Sequence, residues 1–256
     1  MAASPARHVA FGALRAWQDY ADNAPDEVGS GFAVITAPPE PFVPDELKGQ
    51  TVCGIAAIYV GDLEAGAAAM QPIKDLAPTV DLIGPMPYTG FQAMLDPAAP
   101  RGMQNYWRGE YLRELNDGAI DTFLEHAPPL VAAGFPFTQG LIFRIGQAIA
   151  SVPEDDSAFS HRDANYLFHP LALWPDPEKN DQLISASRAF AEAMRSFGTG
   201  AAYLNFTPEQ DRVSDGFSEA KRPRLVALKD KYDPTNLFRL NHNIEPSRHA
   251  GEPAMA

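Results

Sequence analysis

The sequence predicts an α+β protein built on one large, mainly antiparallel sheet that helices cover on one face. The chain has 256 residues, of which 45% are hydrophobic and 21% charged, so it can bury a sizeable core. Strand-like segments are numerous and helical segments fall irregularly between them, which favours an antiparallel sheet with helices on one side. No internal repeat and no low-complexity linker divides the chain, so we expect a single domain.

The first half of the chain predicts two helices and three strands. Val9, Leu14 and Trp17 recur at helical spacing, and Asp62 is a candidate N-cap for a second helix. Prolines at 37–44 predict a loop after the first strand, because proline cannot supply a backbone N–H. The predicted elements are a helix at 9–21, strands at 32–36 and 52–60, a helix at 63–76 and a strand at 80–83.

The second half continues this mixture of strands and helices. Pro223 can occupy the first turn of the last helix, where its missing N–H costs nothing. The predicted elements are an extended segment around 105–107, a helix at 114–126, strands at 141–145, 147–152 and 166–174, a helix at 178–197, a strand at 201–206 and a helix at 223–231.

Charge and cysteine content exclude several classes of function. The formal net charge of −13 argues against a nucleic-acid partner, because phosphates would be repelled. The sequence contains no apolar run near the roughly 20 residues that span a bilayer, and no signal-peptide pattern, so we expect no membrane contact and a cytoplasmic location. Cys53 is the only cysteine, which excludes an intrachain disulfide and a thiolate metal cluster, and no metal site is expected. We expect Cys53 to be a small buried residue of the second strand.

Nucleotide-binding motifs are missing from the sequence. It contains no G-x-G-x-x-G, no phosphate-binding G-x-x-x-x-G-K-[ST], no H-E-x-x-H and no G-x-S-x-G. Gly61 and Gly66 flank a helix start, but Asp62 and Glu64 would repel a diphosphate there. The motifs alone therefore leave an α+β domain of unknown role.

The C-terminal residues carry a resemblance to a known family. Residues 229–246 fit K-x-x-Y-D-P-x-N-x-F-x-x-N-x-N-I-x-P, and this pattern resembles the C-terminal signature of the berberine-bridge-like FAD-linked oxidases at every fixed position. Upstream, Tyr203 and Asn205 are similar to the Y-x-N motif of the family, and 159–162 to its F-x-H-R motif. The resemblance implies a substrate-binding domain at 1–200, a berberine-like segment at 201–246 packed in the same domain, and a disordered tail at 247–256.

The resemblance also implies a function. In this family a preceding domain binds FAD, and we expect this chain to lack that domain and to be the substrate-binding half of a flavin-dependent oxidoreductase. FAD is the implied cofactor, and a small alcohol, sugar, alkaloid or other secondary metabolite is the implied substrate. We expect a separate FAD-binding chain or self-association to cover the face that such a domain would occupy. The alternatives are a small-molecule binding module and a truncated, inactive remnant.

Two residues are the candidate catalytic groups. Tyr203 matches the family tyrosine that lines the flavin and the substrate, and its phenol would orient the substrate hydroxyl or take its proton. His169 lies where relatives carry a polar group facing the flavin, and an imidazole with a pKa near neutrality could serve as a base. A packed strand tyrosine and a structural histidine are the alternative interpretations.

The remaining candidates would bind the flavin or the substrate. Asn205 has an amide whose donors and acceptor suit the pyrimidine edge of the flavin. Asn241 and Asn243 resemble the C-terminal residues of the family that return towards the flavin, although asparagine is also a favoured turn residue. Tyr106, Trp107 and Phe206 are candidate substrate-binding residues, with core packing as the alternative for the first two. Phe206 stands where the family often has Tyr or His, so one polar group is lost. The pair His161 and Arg162 is interpreted as structural.

Overall fold

The computed structural model of the protein describes residues 5–94, 96–98, 100–134, 137–240 and 242–248. Its centre is a seven-stranded sheet in which every strand pair is antiparallel, with helices on one face, and this confirms the predicted fold class. The strands are β1 (Val28–Thr36), β2 (Thr51–Tyr59), β3 (Gln104–Trp107), β4 (Glu110–Leu112), β5 (Gln139–Arg144), β6 (Tyr166–Trp174) and β7 (Gly198–Ala202). The α-helices are α1 (Pro5–Asn23), α2 (Leu63–Lys74), α3 (Tyr88–Ala93), α4 (Asp117–Ala133), α5 (Ala148–Ser151), α6 (Asn180–Met194) and α7 (Arg222–Tyr232).

β6 is the central strand of the sheet. The order is β2-β1-β5-β6-β4-β7, and β3 pairs with β6 beside β4, so β3 and β4 share one edge of β6. The ladder on that edge is interrupted at Arg108 and Gly109, opposite Pro170 of β6. The Pro170 carbonyl accepts from the Arg108 N–H, and the missing N–H of Pro170 faces the same interruption. A proline is therefore tolerated in the middle of a central strand.

The two faces of the sheet differ in what covers them. In β6, Tyr166, Phe168 and Trp174 belong to the main core under the helices, whereas Leu167 belongs to a second cluster on the other side. The core helices α1, α4 and α6 all lie on the first side, and Trp17, Phe123 and Phe190 are buried there. We call the opposite side the open face; it carries Trp107, Tyr111, Phe143, Leu167 and His169, and residues 203–206 pack on it.

Several predicted elements are confirmed by the structure. The strand at 166–174 has the predicted bounds, and Asp62 caps α2 by accepting hydrogen bonds from the N–H groups of Glu64 and Ala65 at 2.9 and 3.0 Å. The predicted helices at 9–21, 63–76, 114–126, 178–197 and 223–231 correspond to α1, α2, α4, α6 with its short 3₁₀ extensions, and α7.

Other predicted elements were wrong. Residues 80–83 form no strand, because the Asp81 carboxylate binds the Ile83 N–H and the Lys74 ammonium and holds this segment in a turn. Residues 147–152 contain the short helix α5, since Gly146 and Gln147 have φ of 112° and 49° and end the extended chain.

The last strand and Cys53 also differ from the prediction. β7 covers 198–202, earlier than predicted, and residues 204–206 form a 3₁₀ turn. β4 was missed, because three residues carry too little pattern to be recognised. Cys53 is exposed and lies in the edge strand β2.

Candidate functional site

The centre of the open face is an aromatic cluster around His169. The imidazole stacks on Phe206 with ring centroids 4.1 Å apart and an interplanar angle of 17°. Trp107 meets the same imidazole edge-on at 5.7 Å and meets Phe206 at 5.9 Å, and Phe143 lies 6.4 Å from the imidazole. β3, β5, β6 and the 203–206 turn thus each contribute one ring to the cluster.

His169 has one fixed hydrogen bond. Its Nδ1 lies 2.7 Å from the Arg108 carbonyl oxygen, and because a carbonyl only accepts, Nδ1 carries the proton and Nε2 keeps a lone pair. Burial lowers the pKa of His169 to about 4, and the bond to the Arg108 carbonyl only partly offsets this. The expected pKa near neutrality is therefore wrong. At neutral pH the ring is a hydrogen-bond acceptor at Nε2 and only a weak base.

Tyr203 and Asn205 are brought together at the edge of this cluster. β7 ends at Ala202, and the following turn places the Asn205 amide 3.0 Å from the Tyr203 hydroxyl oxygen, to which it donates. Tyr203 is half-buried against Tyr111 and Phe206, with ring centroids 6.0 and 5.0 Å away. Because the Asn205 bond uses the oxygen as acceptor, the phenolic proton can point elsewhere.

Gly109 allows the turn to approach the sheet. The Tyr203 N–H donates to the Gly109 carbonyl at 2.9 Å. A Cβ on Gly109 would lie 3.0 Å from the Cβ of Phe206 and 3.1 Å from that of Tyr203, which is closer than side chains normally approach. The missing side chain of Gly109 therefore relieves crowding where both aromatic rings approach the open face.

Tyr106 is not part of the open face. It neighbours Trp107 in β3, and successive strand residues point to opposite faces, so Trp107 lines the cluster while Tyr106 packs into the helix-covered core. Its hydroxyl bonds the Glu209 carboxylate and accepts from Arg188 Nε at 3.0 Å. The structure thus separates two residues that the sequence interpretation treated as one substrate wall.

The C-terminal asparagines are only partly described. Asn241 lies outside the described residues. Asn243 is half-buried, and its Oδ1 has no hydrogen-bond partner among the residues that the structure describes. His242, which the sequence interpretation did not single out, donates from Nε2 to the Leu204 carbonyl at 2.9 Å and so ties this segment to the 203–206 turn.

The pair His161 and Arg162 supports the loop before β6. The Arg162 guanidinium donates to the Ile149 carbonyl and the Ser157 hydroxyl, both at 2.9 Å, and lies 4.9 Å from the Phe159 ring centroid. His161 has a positive φ of 63°, and its ring lies 5.5 Å from that of Tyr111. These contacts agree with the structural interpretation.

Sequence reasoning missed two open-face residues and one ionic network. Tyr111 and Phe143 are recognisable only once β4 and β5 are registered against β6, where they pair with Leu167 on either side. The network joins β3 and β4 to the segment after the turn: Arg108 binds Glu209 at 2.9 Å and Glu110 at 2.8 Å, and Arg212 binds Glu110 at 2.7 Å. No local motif identifies it, because its members are about 100 residues apart.

The open face presents an aromatic surface with a few polar groups at its edge. The half-buried aromatic rings offer an apolar surface, and the Asn205 amide and the His169 Nε2 lone pair offer polar contacts. Within the described ranges, no group of His, Cys, Asp and Glu could hold a metal ion. Shallow grooves of about 580 and 480 Å³ lie on α7 and between α1 and α2, and none of the rings of the open face lines them. Across the described residues, no helix is long and apolar enough to cross a membrane.

Comparison with known proteins gives one consistent result. Residues 202–245 match the family described as berberine and berberine like. The chain is 27% identical over 197 residues to an FAD-linked oxidoreductase of Dictyostelium discoideum, covering 75% of this chain and 42% of the relative. It is 24% identical over 246 residues to the uncharacterized FAD-linked oxidoreductase YvdP of Bacillus subtilis, covering 92% of this chain and 51% of the relative.

Solved structures share the fold. The Arabidopsis thaliana protein BBE-like #28 has a TM-score of 0.72 at 16% identity, covering 94% of this chain and 54% of the other. The 6-hydroxy-D-nicotine oxidase of Arthrobacter nicotinovorans also has a TM-score of 0.72, at 17% identity, covering 95% and 53%. The chain therefore carries a berberine-like segment and is a homologue of the FAD-linked oxidoreductases, spanning about half the length of the relatives it matches.

Proposed function

We propose that this chain supplies the substrate side of an FAD-dependent oxidoreductase that oxidises a small organic molecule, such as an alcohol, a sugar or an alkaloid. The observation that carries the proposal is the open face, where Tyr203, Asn205 and His169 gather on an aromatic surface that none of the described core helices covers. FAD, when bound, would accept a hydride, which carries two electrons, from the substrate carbon.

The residues of this chain would orient the substrate and handle its proton. The Tyr203 hydroxyl, held by Asn205, would meet the substrate hydroxyl or amine, whose proton must leave as the carbon is oxidised. His169 would accept a hydrogen bond at Nε2, since its Nδ1 is engaged by the Arg108 carbonyl. Trp107 and Phe206 would exclude water and limit the shape of the substrate.

The flavin would come from a separate FAD-binding chain or from a flavin-binding segment of a longer protein. The half-buried apolar rings of the open face favour such a covering partner, and self-association of this chain is the alternative cover. The second candidate function is a small-molecule binding module with no redox role. The aromatic cluster supports this function because its rings could bind a ligand without a flavin.

Reconstitution tests the proposal. The chain is mixed with the N-terminal flavin-binding half of a relative such as the Bacillus subtilis protein, loaded with FAD, and sedimentation measures whether the two associate or whether this chain pairs with itself. Alcohols, sugars and alkaloids are then screened for anaerobic bleaching of the flavin. Bleaching that requires this chain supports the proposal. Calorimetric binding of the same compounds to this chain alone, with no bleaching in the reconstituted pair, supports the binding module instead.

A further inference from the structure

The His169 ring is held by two segments that do not adjoin in sequence. Arg108, between β3 and β4, supplies the carbonyl that bonds Nδ1, and Phe206, in the turn after β7, supplies the ring that stacks on the imidazole. The two segments meet through the backbone bond from the Tyr203 N–H to the Gly109 carbonyl, and a side chain adds a second connection.

Glu209 connects these two segments. It lies three residues after Phe206, and its carboxylate reaches back to the guanidinium of Arg108 at 2.9 Å and to the hydroxyl of Tyr106. Glu209 thus contacts both sequence neighbours of Trp107, whose ring also packs against His169. The Glu209 and Arg108 side chains are each only 16% exposed, so their ion pair is little screened by solvent.

The charges around Glu209 favour its ionised form. Burial opposes ionisation, but the Tyr106 hydroxyl and the Arg108 guanidinium outweigh it and lower the pKa of the Glu209 carboxyl. Arg108 is held on its other side by Glu110, which also binds Arg212. Removing Glu209 would leave a partly buried arginine with one of its two carboxylate partners, a costly arrangement that favours local rearrangement.

We propose that Glu209 is the positioning residue of this site: it ties the Phe206 turn to the Tyr106–Arg108 segment and thereby keeps the His169 ring in one orientation with Nε2 free. Only the binding of a substrate by His169 Nε2 rests on the proposed function; the positioning role of Glu209 does not. Glu209 itself does not touch the open face, so it acts through Arg108 and Phe206.

The experiment reads the ring directly and needs no flavin. Histidine-labelled full-length protein is studied by nuclear magnetic resonance, with the His169 signals assigned from His169→Asn. In the wild type the ring nitrogens should report a single tautomer protonated at Nδ1, with a titration midpoint near pH 4. The groups packed on the ring from β3, β5 and the turn are Trp107, Phe143 and Phe206, none of which titrates. In Glu209→Ala the released ring should show mixed tautomers and a midpoint moved towards its ordinary value of about 6.5.

Matched variants separate positioning from general destabilisation. Glu192→Gln removes the acid of an exposed pair with Arg195 and should leave the His169 signals unchanged. Glu209→Gln keeps the shape and a contact to Tyr106 but loses the charge, and should give an intermediate midpoint. A folded Glu209→Ala protein with wild-type tautomer and midpoint overturns the proposal. If Glu209→Ala does not fold, wild-type signals in both Glu209→Gln and Tyr106→Phe overturn it.

Discussion

At the residue scale, Tyr203 and His169 have unequal roles in the proposed chemistry. Tyr203 presents a hydroxyl at the rim of the aromatic cluster, supported by the Asn205 amide. His169 is buried within the cluster, and burial lowers its pKa to about 4, so it is neutral and weakly basic at neutral pH. The structure therefore favours Tyr203 as the proton-handling group and His169 as an orienting acceptor.

Substitution of the two residues should separate these roles. With a flavin-binding half supplied, Tyr203→Phe should slow anaerobic flavin reduction by roughly 10²–10⁴-fold, the usual effect of losing a positioned proton-transfer group. His169→Asn should slow it by about tenfold or less. Stopped-flow absorbance measures both rates, and Tyr232→Phe, which alters an exposed tyrosine of α7, is the control. Wild-type reduction by Tyr203→Phe would show that this tyrosine only packs.

Burial of His169 should also make stability depend on pH. The unfolded ring takes up a proton near pH 6.5, whereas the folded ring does so only near pH 4, so the neutral ring's stabilisation is complete above pH 6.5 and is lost as the pH falls towards 4. The shift corresponds to about 3 kcal/mol in the free energy of unfolding. Urea unfolding of wild type and His169→Gln at pH 7 and pH 4 should show their difference shrink by that order. A difference that does not change with pH would mean that the ring is solvated.

At the scale of elements, the helix-covered side of β6 carries much of the stability. Phe168 is fully buried and lies 4.8 Å from the Phe190 ring of α6 and 6.2 Å from the Phe123 ring of α4. Phe168→Ala should lower the free energy of unfolding by about 3–5 kcal/mol, because it removes apolar contacts and leaves a cavity. Phe238→Ala, at a residue that is 77% exposed, should change it little. Denaturant unfolding compares the two, and equal losses would place Phe168 outside the core.

The elements that the sequence predicted best are those with strong local signals. The residues of β6 form an apolar run of the right length for a buried strand, and Asp62 marks the start of α2, so both were placed almost to the residue. The failures lie where tertiary contacts decide. Lys74 and Asp81 turn a strand-like segment into a loop, and β4 is a strand only because β6 and β7 flank it.

The site was predictable only in part, for a similar reason. A motif match pointed to Tyr203 and Asn205, which the structure brings into contact, and His169 and Phe206 stack as neighbours. Tyr106 was a candidate substrate-binding residue with core packing as the alternative, and only the register of β3 places it in the core. Glu209 escaped notice because its partners lie in a distant part of the chain.

At the scale of the whole molecule, the groups on the open face bear on whether the chain alone can retain FAD. In the proposed function the described residues there would contact a flavin ring, but they include no glycine-rich turn opening a helix, the arrangement that cradles a diphosphate. The purified chain, desalted after incubation with FAD, should therefore be colourless. Absorbance spectra between 350 and 500 nm, roughly the flavin range, check this. Stoichiometric flavin retained by the chain alone would contradict it.

Pro170 interrupts the hydrogen bonding of the sheet directly beside His169. A backbone N–H at position 170 would point towards the chain that connects β3 and β4. It would favour a continuous strand there, paired with β6 along its whole length. Because proline has no N–H, this hydrogen bond is not formed and the ladder is interrupted at Arg108 and Gly109. The Arg108 carbonyl instead accepts a hydrogen bond from the His169 imidazole. One proline in the central strand thus leaves a backbone carbonyl available to bind the side chain of the preceding residue, His169.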